Sequence, residues 1–286
     1  QYTAVKIAPR YHNAPVIHVL DASKSVVVCG NLPSKDKKDD YLEEIAEEYN
    51  DIRDDYYANL KQIRTIPIND ARKKRWISEN ENFNITKPTF LGDDILIFDP
   101  QDSTKQISTL FGLRQQTERD SNVYMYLSDF ISSTTIDYIG LFALAVFNVE
   151  QEAQRLVQKE TDDYSSIILK LLGDHLTEAY LLSVKYQGIR PAAGYPTKPD
   201  HTEKLTIWKL LNAKESIGIE LTKSVAMQPS SAVSELYVAH PESTYFVVGK
   251  INEDQVRDYA NRKGMSIKEI EKWLSSILAY DVDSQQ

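Results

Sequence analysis

Cysteine is nearly absent: Cys29 stands alone in 286 residues, so no disulfide framework can form and a reducing compartment, the cytoplasm, is the expected setting. Long apolar runs are missing as well. The longest, Tyr138 to Val149, has twelve residues and includes Gly140 and Asn148, short of the roughly 20 that cross a bilayer, so no membrane association is expected. An excess of positive charge is also lacking. A formal charge of −9 and a pI near 5.2 argue against nucleic acid, whose phosphates bind clustered Lys and Arg. His12, His18, His175, His201 and His240 lack the i, i+4 or Cys-x-x-Cys spacing that converges ligands on a metal. The opening QYTAVKIAPRYH has no basic region followed by an apolar block, so no secretory signal is expected in this chain.

What is present is a globular composition, with 42% apolar and 10% aromatic residues, enough for one large domain or two ordinary ones. The opening reads as a helix, then an apolar strand, Val16 to Leu20, a turn at Asp21 to Ser25, and a second apolar run, Val26 to Val28. Such runs resemble buried parallel strands. Two short strands and one helix cannot close a doubly wound sheet, so the chain is expected to begin inside an α/β domain. From Asp36 to Asp55 there are ten acidic and three basic residues, and Tyr41, Ile45, Tyr49, Ile52, Tyr56 and Leu60 recur every three or four positions. This predicts an amphipathic helix. Its acidic face reads as a solvated surface of a connecting helix or as a dock for a basic partner. Arg72 to Arg75 (RKKR) reads as an exposed linker charge run or as a targeting or anion patch, and the polar stretch Ser78 to Pro88 marks a domain boundary.

Beyond Pro88, Ile95 to Phe98 reads as a strand and the apolar segment Ile136 to Val149 as a buried helix. A further helix runs from Tyr164 through Leu176 and Tyr180 and presents Glu178 near its end. Asp200 and Glu203 have capping-box spacing at the start of a helix through Leu205, Trp208 and Leu211, which Gly218 follows. Three runs, Ile219 to Met227, Ala232 to Ala239 and Thr244 to Lys250, suit an antiparallel meander. Two helices divided by Gly264 close the chain, the second opened by the capping box Ser266 to Glu269. The expected class is α+β: an antiparallel sheet flanked by helices. No Gly-rich loop follows a strand in the manner of a generic adenosylmethionine-dependent methyltransferase.

Chemistry concentrates in Gly188 to Pro199, where two glycines and three prolines precede a helix. Prolines restrain such a loop while glycines admit a ligand close to the backbone. Arg190 offers a fork for a carboxylate and Tyr195 an aromatic face for a flat or cationic group; the same features also fit an ordinary Pro-rich connecting loop with a surface arginine.

The run GIRPAAGYPTKPDHTEK (188–204) followed by LTIWKLL is similar to the hallmark of the activation domain of cobalamin-dependent methionine synthases. LTKSVAM, YFVVGKI, DQVRDYANRKGMS and EKWLSSILAYD resemble further family segments, as do KPTFLG, FGLRQQTE and DYIGLFALAVF upstream. VIHVLDASKSVVV resembles the tail of the family's cobalamin-binding domain. The resemblance implies a cobalamin-domain remnant over 1–32, a helical acidic linker over 33–78 and an activation domain over 79–286. The parent enzyme moves a methyl group from 5-methyltetrahydrofolate to homocysteine through cobalamin. The family's activation domain binds S-adenosylmethionine and supports methylation of cobalamin that has been oxidised to the cob(II) state, with an electron from a methionine synthase reductase or flavodoxin-like flavoprotein. Expected partners are that flavoprotein and the enzyme's own cobalamin domain; zinc belongs to a part of the family's protein that this sequence does not contain.

Carried over by position, Arg190 contacts the methionine carboxylate. Ala192, Gly194 and Tyr195 line the site, and Tyr245 with Phe246 matches a family Tyr-Phe pair at the same ligand. Glu178 matches a glutamate able to balance the amino or sulfonium charge, and Ala22 a residue touching cobalamin. No catalytic residue is implied, because the family's domain positions donor and acceptor. Three departures stand out. The family's Ile-Asp-Trp aspartate has no counterpart, since Trp76, Trp208 and Trp273 follow Arg75, Ile207 and Lys272. Only Tyr180 to Gln187 separate Ala179 from Gly188, where the family carries a longer helical extension, and Ala193 replaces a proline. The chain alone is not expected to synthesise methionine; the alternative is a ligand-free module that docks the flavoprotein.

Overall fold

The computed structural model describes residues 3–11, 13–19, 21–33, 37–75, 77, 93–132 and 137–282. The chain divides into two compact units, Gln1–Arg64 and Thr65–Gln286.

In the first unit the helical opening Thr3–Ile7 and Ala8–Arg10 is followed by extended chain, then α1 (Ala22–Asn31) and α2 (Lys38–Gln62). The expected second strand at residues 26–28 is helical instead. Asp21 caps α1 by accepting a 2.9 Å hydrogen bond from the Lys24 N–H, and an N-cap of this kind directs the following valines into a helix. Residues 15–19 form no regular strand. The predicted amphipathic helix is α2, and it buries Tyr49 and Leu60 from its apolar stripe. The Tyr49 hydroxyl accepts the His18 N–H at 2.8 Å.

The second unit opens with α3 (Ile68–Lys73), followed by the antiparallel pair β1 (Ile95–Asp99) and β2 (Asp102–Leu110). Arg72, expected as part of an exposed charge run, is anchored by Asp93 at 2.9 Å and Asp258 at 2.6 Å; Lys73 stays exposed. The polar stretch 78–88 lies outside the described residues. The segment expected as a buried helix is β3 (Ile139–Ala145), paired antiparallel with β6 (Ala232–Val238) over seven residues. An unbroken apolar run fits either element by pattern, and here long-range pairing decides.

Between them lie α4 (Val149–Glu160), α5 (Asp163–Ser183), α6 (Glu203–Leu211), α7 (Ala213–Ile217) and the short pair β4 (Glu220–Leu221) and β5 (Met227–Gln228). The expected meander is therefore cut in two: β4 pairs with β5, while β6 pairs with β3 and along its other edge with Ile189. Residues 244–250 form no ladder; they bond to the 188–199 loop instead, Val248 N–H donating to Pro196 O at 2.9 Å. α8 (Glu253–Lys263) ends at Gly264 with φ +68, and Ser266 and Glu269 cap α9 (Ile267–Trp273) reciprocally, both as expected. The architecture is α+β with antiparallel pairs flanked by helices. Among the described residues no helix is long and apolar enough to cross a membrane.

Leu110, Leu127, Ile207, Leu236, Val248 and Ile270 form the centre of the core. α5 packs differently: it buries Ser166, Gly173, Thr177 and Leu181, while Tyr164, Leu172, Leu176 and Tyr180 point outward. Gly173 is what allows this, because a Cβ there would meet Ser231 and Val149 at 2.8 and 3.0 Å. The small face of α5 thereby comes close to the start of β6 and forms one wall of a cavity.

Candidate functional site

The 188–199 loop is shaped by its own sequence. Gly188, at φ +100, sits where a Cβ would lie 2.0 Å from Val238 O, a contact and a dihedral only glycine accommodates. The chain then runs along β6: Ile189 and Val238 exchange hydrogen bonds at 3.0 and 2.9 Å, and Leu236 N–H donates to Pro191 O at 2.9 Å. At Gly194, φ +97, a Cβ would stand 2.2 Å from the His201 ring, and its N–H closes a turn onto Lys198 O at 2.7 Å. Thr197 Oγ1 donates to Phe246 O at 2.6 Å and the Tyr245 hydroxyl accepts the Arg190 N–H at 2.9 Å, which ties the Tyr-Phe pair to the loop.

These elements enclose a cavity of about 780 Å3 between α5, the loop, β6 and residues 245–247. Of the residues expected at the site, Glu178, Arg190, Ala192, Tyr195, Tyr245 and Phe246 all line it. Phe246 is buried, Tyr195 and Tyr245 are exposed, and Glu178 stands at the rim with 68% of its side chain open. Gly194 does not line the cavity; it shapes the loop from the His201 side. Ala22 is the first residue of α1, in the first unit.

Arg190 is the most constrained of the set. Its guanidinium stacks 4.0 Å from the centroid of the Tyr186 ring, Nη1 donates to Leu181 O at 2.9 Å, and Nε faces Glu235 Oε2 at 3.7 Å. Both Nε and Oε2 are shielded from solvent without a hydrogen-bond partner, as is Ser234 Oγ in the same wall. Buried polar atoms are nearly always bonded, so three orphans on one wall mark a place built for something polar. Burial pushes the Glu235 carboxyl up, against the downward pull of Arg190. It also raises the Tyr245 phenol, which keeps the hydroxyl protonated, and lowers Lys204 at the other side of the cavity.

Sequence reasoning missed Glu235, Ser234, Thr177 and Lys204. A charged residue inside the alternating run Ala232–Val238 is the one signal that could have drawn attention to Glu235. The expected Asp200 to Glu203 capping box is also absent: Thr202 is the N-cap of α6. Glu203 is fully buried and accepts from Lys198 at 2.9 Å and Lys263 at 2.7 Å, while Asp200 accepts from Lys263, the Tyr259 hydroxyl and Thr202. These charges anchor the loop's C-terminal end to α8.

The family model for the vitamin B12 dependent methionine synthase activation domain matches residues 60–182 and 179–264. The two matched stretches overlap at the end of α5. A crystal structure of the MetH reactivation domain bound to AdoHcy is 34% identical, with a TM-score of 0.62 over 87% of this chain and 81% of the other. With a family match spanning most of its length, the chain belongs to the vitamin B12-dependent methionine synthase activation-domain family.

Proposed function

We propose that the cavity binds S-adenosylmethionine and that the second unit holds this ligand for reductive reactivation of cobalamin by methylation. The observation that carries the reading is the convergence of Arg190, Glu178 and the rings of Tyr195, Tyr245 and Phe246, from three separated stretches of sequence, on one cavity of about 780 Å3, a size suited to a small ligand. The AdoHcy in the related MetH reactivation domain supports the ligand class. S-adenosylmethionine supplies the methyl group. Arg190 grips the ligand's carboxylate, Glu178 balances positive charge at the rim, and Ala192 keeps the backbone close to the ligand while Gly194 holds the loop's turn from behind. No proton has to move in this transfer, so positioning is the protein's whole contribution.

In this reading residues 1–32 close a cobalamin-binding domain in which Ala22 touches the corrinoid, 33–78 form a linker, and 79–286 form the activation domain. The electron comes from a flavoprotein reductase, which docks on the activation domain together with the enzyme's own cobalamin domain. Calorimetric titration with S-adenosylmethionine tests the proposal. One site that Arg190→Ala weakens about a hundredfold or more is expected, because it removes a charged partner from a desolvated contact. No heat, or binding indifferent to Arg190→Ala, contradicts it.

A further inference from the structure

We propose that Glu235 is a resident anion on Arg190: its carboxylate stands where a ligand carboxylate must bind, and the ligand enters by displacing it. The inference rests on the reading of the cavity as a S-adenosylmethionine site. A guanidinium grips a carboxylate with two parallel N–H groups along one of its edges. On Arg190 the edge that includes Nη1 is committed to Leu181 O, and one face of the plane is closed by Tyr186. The edge that includes Nε is left, and Glu235 Oε2 stands 3.7 Å from it.

The pair is a loose one. Elsewhere in the second unit Arg72 meets Asp93 at 2.9 Å and Arg114 meets Asp129 at 2.6 Å, whereas Arg190 Nε and Glu235 Oε2 are buried and make no hydrogen bond at all. An incoming carboxylate that forks onto Arg190 gains two hydrogen bonds that Glu235 does not make. The strand itself is fixed, since Glu235 is paired with Phe142 and the next residue bonds to Pro191. The side chain must therefore do the moving. Burial already opposes a charged carboxylate at this position, which eases its departure from Arg190.

Occupation by Glu235 lowers apparent affinity by the fraction of molecules in which Arg190 is free. It acts only on ligands that carry a carboxylate. The test titrates the full 286-residue chain and its Glu235→Gln and Glu235→Ala variants with S-adenosylmethionine and with 5′-methylthioadenosine, which lacks the amino-acid carboxylate. Thermal melting verifies that each variant is folded. The expected result is S-adenosylmethionine binding tightened about tenfold in both variants, with methylthioadenosine unchanged. Weaker S-adenosylmethionine binding in Glu235→Gln overturns the inference, because Glu235 then receives the ligand's ammonium. An equal change for both ligands, or none for either, overturns it as well while leaving the cavity's ligand in place. Absence of S-adenosylmethionine binding in all three proteins removes the reading of the cavity and this inference with it.

Discussion

Arg114 and Arg190 are both withdrawn from water, and their surroundings could hardly differ more. Arg114, 2% exposed, donates from Nε to Asp93, from Nη1 to Tyr124 O and Asp129, and from Nη2 to Asp129. Its own backbone is clamped by Gln255, which accepts the Arg114 N–H at 2.7 Å and donates to the Arg114 carbonyl at 3.0 Å. Arg190 makes one side-chain hydrogen bond, to Leu181 O, and keeps Nε in front of a carboxylate it does not bond. A buried ion cluster with every group satisfied fixes a fold and has no room for a newcomer. One left short of partners beside a cavity is poised for a ligand. The lesson is that the degree of hydrogen-bond completion, rather than charge or burial, separates Arg114 from Arg190, the arginine proposed to hold the ligand.

Breaking the complete cluster should have the largest effect. Arg114→Ala leaves Asp129 buried without its charge partner and Asp93 with Arg72 alone, and is expected to lower stability by about 3–5 kcal/mol, read as a shift in the urea midpoint. At Arg190 the balance reverses. Arg190→Ala should weaken S-adenosylmethionine binding about a hundredfold or more while changing stability by about 1 kcal/mol, because few of its bonds are complete. Gly194→Ala tests the loop from behind. The positive φ and the His201 ring both oppose a side chain there, so about 1–3 kcal/mol of stability should be lost, with a fall in ligand affinity measured alongside.

The second satisfied cluster gives a pH signature. Burial would raise the Asp200 carboxyl, but the Lys263 ammonium and hydrogen bonds from Lys263, Tyr259 and Thr202 outweigh that and hold it below the usual carboxylate range. A carboxylate with a lowered folded-state pKa stabilises above its unfolded value, and that contribution disappears as pH falls through the folded value. Stability measured across acidic pH should therefore drop more steeply for the natural chain than for Asp200→Asn. Smallest is Tyr245→Phe, which removes the acceptor of the Arg190 N–H. About 0.5–1.5 kcal/mol is expected, together with a few-fold loss of ligand affinity.

Much of this was legible in the chain wherever the signal is local. The Tyr41 to Leu60 periodicity marked α2, Ser266 and Glu269 marked the start of α9, and the restraint of the 188–199 loop by its prolines and glycines was visible before any fold. What escaped depends on partners distant in sequence. Ile139–Ala145 is a strand because Ala232–Val238 pairs with it across some ninety residues. Asp200 and Glu203 have the spacing of a cap, yet Lys263, sixty residues away, recruits both into a buried cluster. Glu235 shows in the sequence only as a charge inside the run Ala232–Val238, and its place opposite Arg190 arises only when β6 lies beside the 188–199 loop. The apolar pattern of α5 predicts a helix, but periodicity says nothing about which face packs, and here the small face of Gly173 and Thr177 does.

The most direct test of the contrast between the two arginines is a set of melting curves for the natural chain, Arg114→Ala and Arg190→Ala, each with and without S-adenosylmethionine. Ligand that binds only the folded state raises its melting temperature. The predicted result is a clear ligand-induced rise for the natural chain, an Arg190→Ala variant that melts near the natural chain without ligand and does not respond to it, and an Arg114→Ala variant whose melting temperature falls sharply. An Arg190→Ala variant that still rises with ligand as the natural chain does, or that loses as much stability as Arg114→Ala, would contradict it.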